Sequence, residues 1–255
     1  MLQHKIINGH HDEWVVFVHG MGGSSATWNK QLNLFSEQYN LLLLDLPGHG
    51  DDSKNIIRRV NQKQLNTEIA ETLDYLGIES AHFVGLSLGT IVTANFSIQN
   101  PNRVKSIVLG GAALDVCGIY RSCVRFANGI KRIVPYKMLY KFFAWFMMPK
   151  KNHKKSRVIF LREVVKLDRE TMFAWLKYFK DSLKDTELFS KLDALGKKIL
   201  FISGDEDHCF LKGSKFLAKR IRMAEIAIIN RCGHVCSIEK ASIFNELSLN
   251  YLTAN

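Results

Sequence analysis

Short apolar runs alternate with helical periods from Trp14 onward, and this alternation restricts what the chain can fold into more than any other feature. Trp14 to Val18 reads as a strand, a Gly-rich loop follows, Thr27 to Phe35 reads as a helix, Asn40 to Leu44 as a strand and Asp45 to Gly50 as a turn. Gln62 to Leu76 carries Leu65, Ile69, Leu73 and Leu76 at helical spacing and is closed by Gly77, and Ala81 to Val84 is then a short strand. A helix opening at Ser87 runs to about Gln99, stops before Pro101 and gives way to a strand at Val104 to Leu109. Strands and helices in regular turn imply a mostly parallel sheet.

After Ala113 the pattern changes to helical segments dotted with Lys and Arg, and the alternation resumes only at Lys198 to Ser203, Glu225 to Ile229 and a closing helix from Ile238 to Leu252. With a short leading strand at Leu2 to Ile7, the expectation is an α/β sheet of about seven strands. Residues 1–112 and 191–255 form its core, and 113–190 form a helical cap over the strand ends, where open α/β sheets bind ligands. A chain of 255 residues with 47% hydrophobic content suits one such domain.

The charge is concentrated in the insertion. Residues 113–190 hold 17 Lys and Arg against 7 Asp and Glu, which is +10 of the chain's +11, and Val116 to Arg162 holds twelve basic residues and no acidic one. Such a segment suits an anionic partner: an acidic acyl carrier protein, an anionic membrane surface or a carboxylated small substrate. Nucleic acid is disfavoured, because the charge is confined to the insertion and no nucleic-acid module is present. No run approaches the roughly 18 apolar residues of a spanning helix. Met1 to Gly9 lacks a basic-then-apolar leader, so a cytoplasmic protein is the expectation. The five cysteines form no C-x-x-C pair and read as reduced thiols. Cys232, His234 and Cys236 alternate without a second ligand pair, so no metal is expected there, and the chemistry below needs no cofactor.

Gly85-Leu86-Ser87-Leu88-Gly89 lies between a predicted strand and a predicted helix, the context in which G-x-S-x-G makes a sharp turn that lifts the serine hydroxyl off the sheet. Crowding on both sides of such a turn demands small residues two before and two after the serine. The backbone N–H of Leu88 then faces an oxyanion, and Met21, in His19-Gly20-Met21-Gly22-Gly23, can supply a second N–H. A serine needs a base, and the base needs a carboxylate to fix its tautomer. His234 follows the last predicted strand and is the candidate base; His10, His11, His49 and His153 read as surface residues, and His19 as a brace for its loop. Gly204-Asp205-Glu206-Asp207 follows the preceding strand, and Asp207, farther past the strand end, is favoured as the acid, with Asp205 and Asp115 as alternatives.

In the order Ser87, Asp207, His234, and with Asp45-Leu46-Pro47-Gly48-His49-Gly50 beside the motifs above, the chain resembles the α/β-hydrolase superfamily. The likeness spans both parts of the core. The resemblance implies an acid three residues after the glycine of the late strand, which supports Asp207; the proline that often follows that acid is missing from His208-Cys209-Phe210-Leu211. Within the superfamily the chain is similar to small bacterial capped enzymes: carboxylesterases, the methyl-ester esterases that act on pimeloyl chains held by acyl carrier protein, and the menaquinone-pathway lyase. The lyases carry a basic residue soon after the elbow, where Thr90 and Ile91 stand here. What the resemblance implies is hydrolysis of a carboxylic ester through an acyl-enzyme, with carboxylesterase or thioesterase action on small free substrates as the alternative. A non-catalytic binding protein is the remote reading, since no triad member is missing.

Tyr136 to Met148 is apolar around nearly the whole helix, so Phe142, Phe143 and Trp145 either touch an apolar acyl chain or pack the cap onto the core. Arg121, Arg125 and Lys131 are the candidate contacts to an anionic carrier.

Overall fold

The computed structural model describes residues 1–115 and 134–255. Seven strands form one sheet in the order β1-β3-β2-β4-β5-β6-β7: β1 (Gln3–Ile7), β2 (Trp14–Val18), β3 (Asn40–Asp45), β4 (Ala81–Leu86), β5 (Val104–Gly110), β6 (Lys198–Gly204) and β7 (Ala224–Ile229). Only β1 is antiparallel, pairing Gln3 with Asp45 through Ile7 with Leu41 on β3. The strands β3 and β4 are buried at every position, as a parallel strand covered on both faces must be, and this is why they read as continuous apolar runs rather than as alternations.

The described helices are α1 (Leu32–Phe35), α2 (Gln62–Tyr75), α3 (Leu88–Gln99), α4 (Tyr136–Met147), α5 (Lys154–Val164), α6 (Arg169–Ser182), α7 (Leu188–Ala194), α8 (Leu211–Ala218), α9 (Cys236–Glu239) and α10 (Ala241–Thr253). Asn61 starts α2 by accepting from the amides of Lys63 and Gln64, and Asp168 does the same for Glu170 and Thr171 at the start of α6. Two helices expected as single pieces are broken. Thr27 to Phe35 divides into a 3-10 turn, Ser25–Trp28, and the short α1, because the buried Gln31 side chain turns in to donate to Ser237 O and Asn245 Oδ1. Ile238 to Leu252 divides at Lys240 into α9 and α10.

Between β5 and β6 the chain leaves the sheet, and α4 to α7 lie in this interval. Helix α7 runs through the boundary placed at 190, with Leu188 and Leu192 buried in the main core. No helix among the described residues is long and apolar enough to cross a membrane.

Candidate active site

Ser87 stands between β4 and α3 at φ 53 and ψ −121, a conformation that side chains other than glycine's rarely adopt. The turn is held from several sides. Ser87 N–H donates to Gly110 O at 2.9 Å, and the buried Thr90 hydroxyl donates to Ser87 O at 2.5 Å while accepting from Ala113 N–H at 3.0 Å. Gly89 is required by close approach: a Cβ there would run into the carbonyl oxygens of Val18 and His19 at the end of β2.

His234 follows β7 in the loop that leads to α9, and Asp207 follows β6. The imidazole Nδ1 lies 2.9 Å from Asp207 Oδ2, and Nε2 lies 2.8 Å from Ser87 Oγ. Both side chains are almost wholly buried. Asp207 Oδ1 accepts from Phe210 N–H at 3.2 Å, and the Phe210 ring stacks on the imidazole at 4.6 Å, so acid and base are fixed by the same short loop. Gly111, at φ 51, lets the histidine in: a Cβ there would sit 2.5 Å from His234 O and 3.1 Å from Nδ1. Through this chain of hydrogen bonds a proton can pass from the hydroxyl to an imidazole whose tautomer the carboxylate sets.

The alternative acids are occupied otherwise. Asp205 is exposed and accepts from Cys232 N–H at 3.2 Å, which ties the histidine loop to β6, and Asp115 packs against Gly213 of α8. Burial pushes the Cys232 thiol up, and that of Cys236 up to about 12, so both stay protonated. Among the described residues no group of three or more His, Cys, Asp or Glu side chains is placed to hold a metal ion.

Met21 and Leu88 both line the cavity beside Ser87. Leu88 is the first residue of α3, whose opening N–H groups have no partner within the helix. His19 braces the loop of Met21 as expected, with Nδ1–H donating to Gly20 O at 2.8 Å and Nε2 accepting from Leu46 N–H at 3.0 Å. His49, read as a surface residue, is instead fully buried: its Nε2 accepts from Gly22 N–H at 3.1 Å, and Trp175 of the cap meets its ring edge-on. Burial lowers His19 to about 4 and His49 to about 3, so both are neutral braces. Asp45 completes the support by accepting from Ser25 N–H at 2.5 Å and Asp51 N–H at 3.0 Å.

His153 is also buried, contrary to its reading as a surface residue of the cap. Its Nε2 lies 2.7 Å from Glu206 Oε2 and 3.8 Å from Glu239 Oε2. Glu206, held down at about 2 by hydrogen bonds from Asn152, Lys150 and His153, immediately precedes Asp207. Glu239 accepts from Gly233 N–H at 2.7 Å and from the Ser156 hydroxyl at 2.8 Å, and Gly233 immediately precedes His234. One short turn of the cap therefore grips both loops.

The cavity over Ser87 encloses about 860 Å³, its open mouth included. Among the described residues its walls are mostly apolar, from Phe143, Met147, Phe160, Leu176, Phe179 and Ile238 among others, and Glu163 is the one carboxylate in them. Glu163 accepts from Lys166 Nζ at 2.9 Å and from the Ser24 hydroxyl at 3.2 Å. Phe142 and Trp145 do not reach the cavity, which corrects the expectation for them: α4 has one inward face, and these two residues stand half-exposed on the other. Arg121, Arg125 and Lys131 lie outside the described residues.

The sequence profile of the alpha/beta hydrolase fold family matches residues 13–156, more than half of the chain. The chain belongs to the α/β hydrolase fold family. This α/β hydrolase is 27% identical over 252 residues to a 2-hydroxy-6-oxononadienedioate/2-hydroxy-6-oxononatrienedioate hydrolase of Cupriavidus pinatubonensis, covering 94% of this chain and 86% of that enzyme. A local match of 97 residues, 38% identical, links it to the dihydrolipoyllysine-residue acetyltransferase component of an acetoin cleaving system of Cupriavidus necator, of which it spans 26%. Among solved structures, the α/β hydrolase superposes on the enol-lactonase of Burkholderia xenovorans LB400 with a TM-score of 0.82 at 18% identity, covering 99% of this chain and 96% of that one. It superposes on MenH of S. aureus with a TM-score of 0.80 at 18% identity, covering 100% and 99%. Likeness at that identity speaks for the fold alone.

Proposed function

We propose that this hydrolase cleaves a carboxylic ester of an apolar acyl group through a covalent acyl-enzyme on Ser87. The observation that carries the proposal is the hydrogen-bond chain Ser87 Oγ–His234 Nε2 and His234 Nδ1–Asp207 Oδ2, at 2.8 and 2.9 Å, opening into an apolar cavity. Ser87 Oγ attacks the acyl carbonyl carbon as its proton moves to His234 Nε2, and the Met21 and Leu88 amides receive the oxyanion. Collapse expels the alcohol, which takes the proton from His234. Water then gives a proton to Nε2 and attacks the acyl carbon; the acid leaves and Ser87 regains its proton.

A fluorophosphonate probe tests the nucleophile. Wild type is labelled and Ser87→Ala is not; equal labelling of both overturns the assignment. Rates over a chain-length series of p-nitrophenyl esters and matching thioesters then define the acyl group.

A second reading, cleavage of a carbon–carbon bond, is favoured by the near full-length relatives named as oxononadienedioate hydrolases. Among the described residues the lining offers a dianion one carboxylate, Glu163, and no Lys or Arg, so an uncharged ester fits better. Turnover of a dienedioate faster than of any ester in the series selects the second reading. Carrier-linked delivery is a narrower version of the ester proposal. It predicts that charge reversal at Arg121, Arg125 and Lys131 slows a carrier-linked ester far more than a free one, and equal losses refute it.

A further inference from the structure

Helix α4 serves the core with one face only. Leu139, Tyr140, Phe143, Ala144 and Met147 are buried, whereas Lys137, Met138, Lys141, Phe142 and Trp145 form an exposed stripe at helical spacing. Met138 is 60% exposed, Phe142 50% and Trp145 55%. Phe142 stacks on Phe146, and the guanidinium of Arg157, a buried residue of α5 that donates to Met148 O and Lys150 O, lies 3.7 Å over the Trp145 ring and holds it on the surface. Residues 134–162 contain eight Lys and Arg and no Asp or Glu. Single exposed apolar side chains are ordinary; three on successive turns of one helix, edged by cations, make a patch.

We propose that this outer face of the cap docks on an anionic lipid bilayer, with Met138, Phe142 and Trp145 among the headgroups and the surrounding lysines and arginines against their phosphates. The stripe has the composition of an interfacial helix: Trp and Phe on the inserting side, and Lys stems that lie along the apolar surface while their charges stay in water. An acidic carrier protein would satisfy the charges but leaves three large apolar side chains without a stated role, and for this reason lipid is the better fit. Docking is independent of the ester reading, because none of the inserting residues lines the cavity. The inner face of the same helix does line it, through Phe143 and Met147, which puts an apolar site one helix diameter, about 10 Å, from the bilayer.

Sedimentation with vesicles of phosphatidylcholine, alone or mixed with phosphatidylglycerol, tests the docking. Wild type sediments with the mixed vesicles and not with phosphatidylcholine alone. The triple variant Met138→Ser, Phe142→Ser, Trp145→Ser and the double variant Lys137→Glu, Lys141→Glu each bind about tenfold more weakly or worse. Both hydrolyse a soluble p-nitrophenyl ester at the wild-type rate, showing that fold and site are intact. Brominated lipid quenches part of the wild-type tryptophan fluorescence, and Trp145→Phe removes that part. The proposal is overturned if wild type binds neither vesicle, if the triple variant binds like wild type, or if the face captures an acidic acyl carrier protein and no lipid.

Discussion

With Nδ1–H of His234 donated to Asp207, Nε2 is left as the acceptor of the Ser87 proton, and this division of roles makes the acid testable. An amide at 207 can donate to Nδ1 and select the other tautomer, so Asp207→Asn lowers kcat by about 10⁴ while the fold is retained. Asp205→Asn keeps an oxygen for Cys232 N–H and leaves kcat near wild type; steady-state rates on one ester compare the two. Glu239 acts at one remove, through the amide beside His234. Glu239→Gln keeps an acceptor for Gly233 N–H. Glu239→Leu leaves that amide unpaired, costing roughly 1–3 kcal/mol of stability and lowering kcat more than it raises KM.

At the scale of elements, α4 separates two neighbouring aromatics. Phe143→Ala enlarges the cavity and moves the optimum of the ester series toward longer chains, at a stability cost of about 3–5 kcal/mol, while Phe142→Ala leaves the optimum where it was. The same pair marks how far the sequence could be read. Strands show in the sequence because their apolar runs are local, and a serine between a strand and a helix, or a histidine after a last strand, is placed by order along the chain. Helix α4 is apolar nearly all round, so its periodicity could not say which of Phe142 and Phe143 turns inward. His49 and His153 escaped notice for another reason: their partners, Gly22 and Glu206, are 27 and 53 positions away, and neither neighbourhood is apolar enough to announce burial. A signal existed for His49 in the glycines on either side of it, which mark a tight turn where Gly50 packs directly on the buried Asp45 carboxylate. Nothing local marks His153.

The molecule as a whole should lose stability in acid, and the sign follows from groups already described. His19 and His49 have folded pKa values near 4 and 3, below their ordinary 6.5, so the unfolded chain binds more protons as pH falls from about 6.5 toward 3. Glu206, near 2 in the fold against an ordinary 4.5, adds to the loss at the lower end of that window. His19 alone accounts for roughly 3 kcal/mol once pH is below both values. Denaturant titrations at pH 7 and pH 4.5 check this: the midpoint falls with pH in wild type, and falls less in His19→Asn. The strand order carries one more consequence. Ser87, Asp207 and His234 leave the sheet after β4, β6 and β7, and β5 lies between the first strand and the other two. The reactive hydroxyl thus acquires its base only when the far edge of the sheet has joined, late for a topology built on distant pairings. During renaturation from urea, capture of a fluorophosphonate by Ser87 should trail the return of helical circular dichroism, which makes the nucleophile a clock for the last stage of assembly.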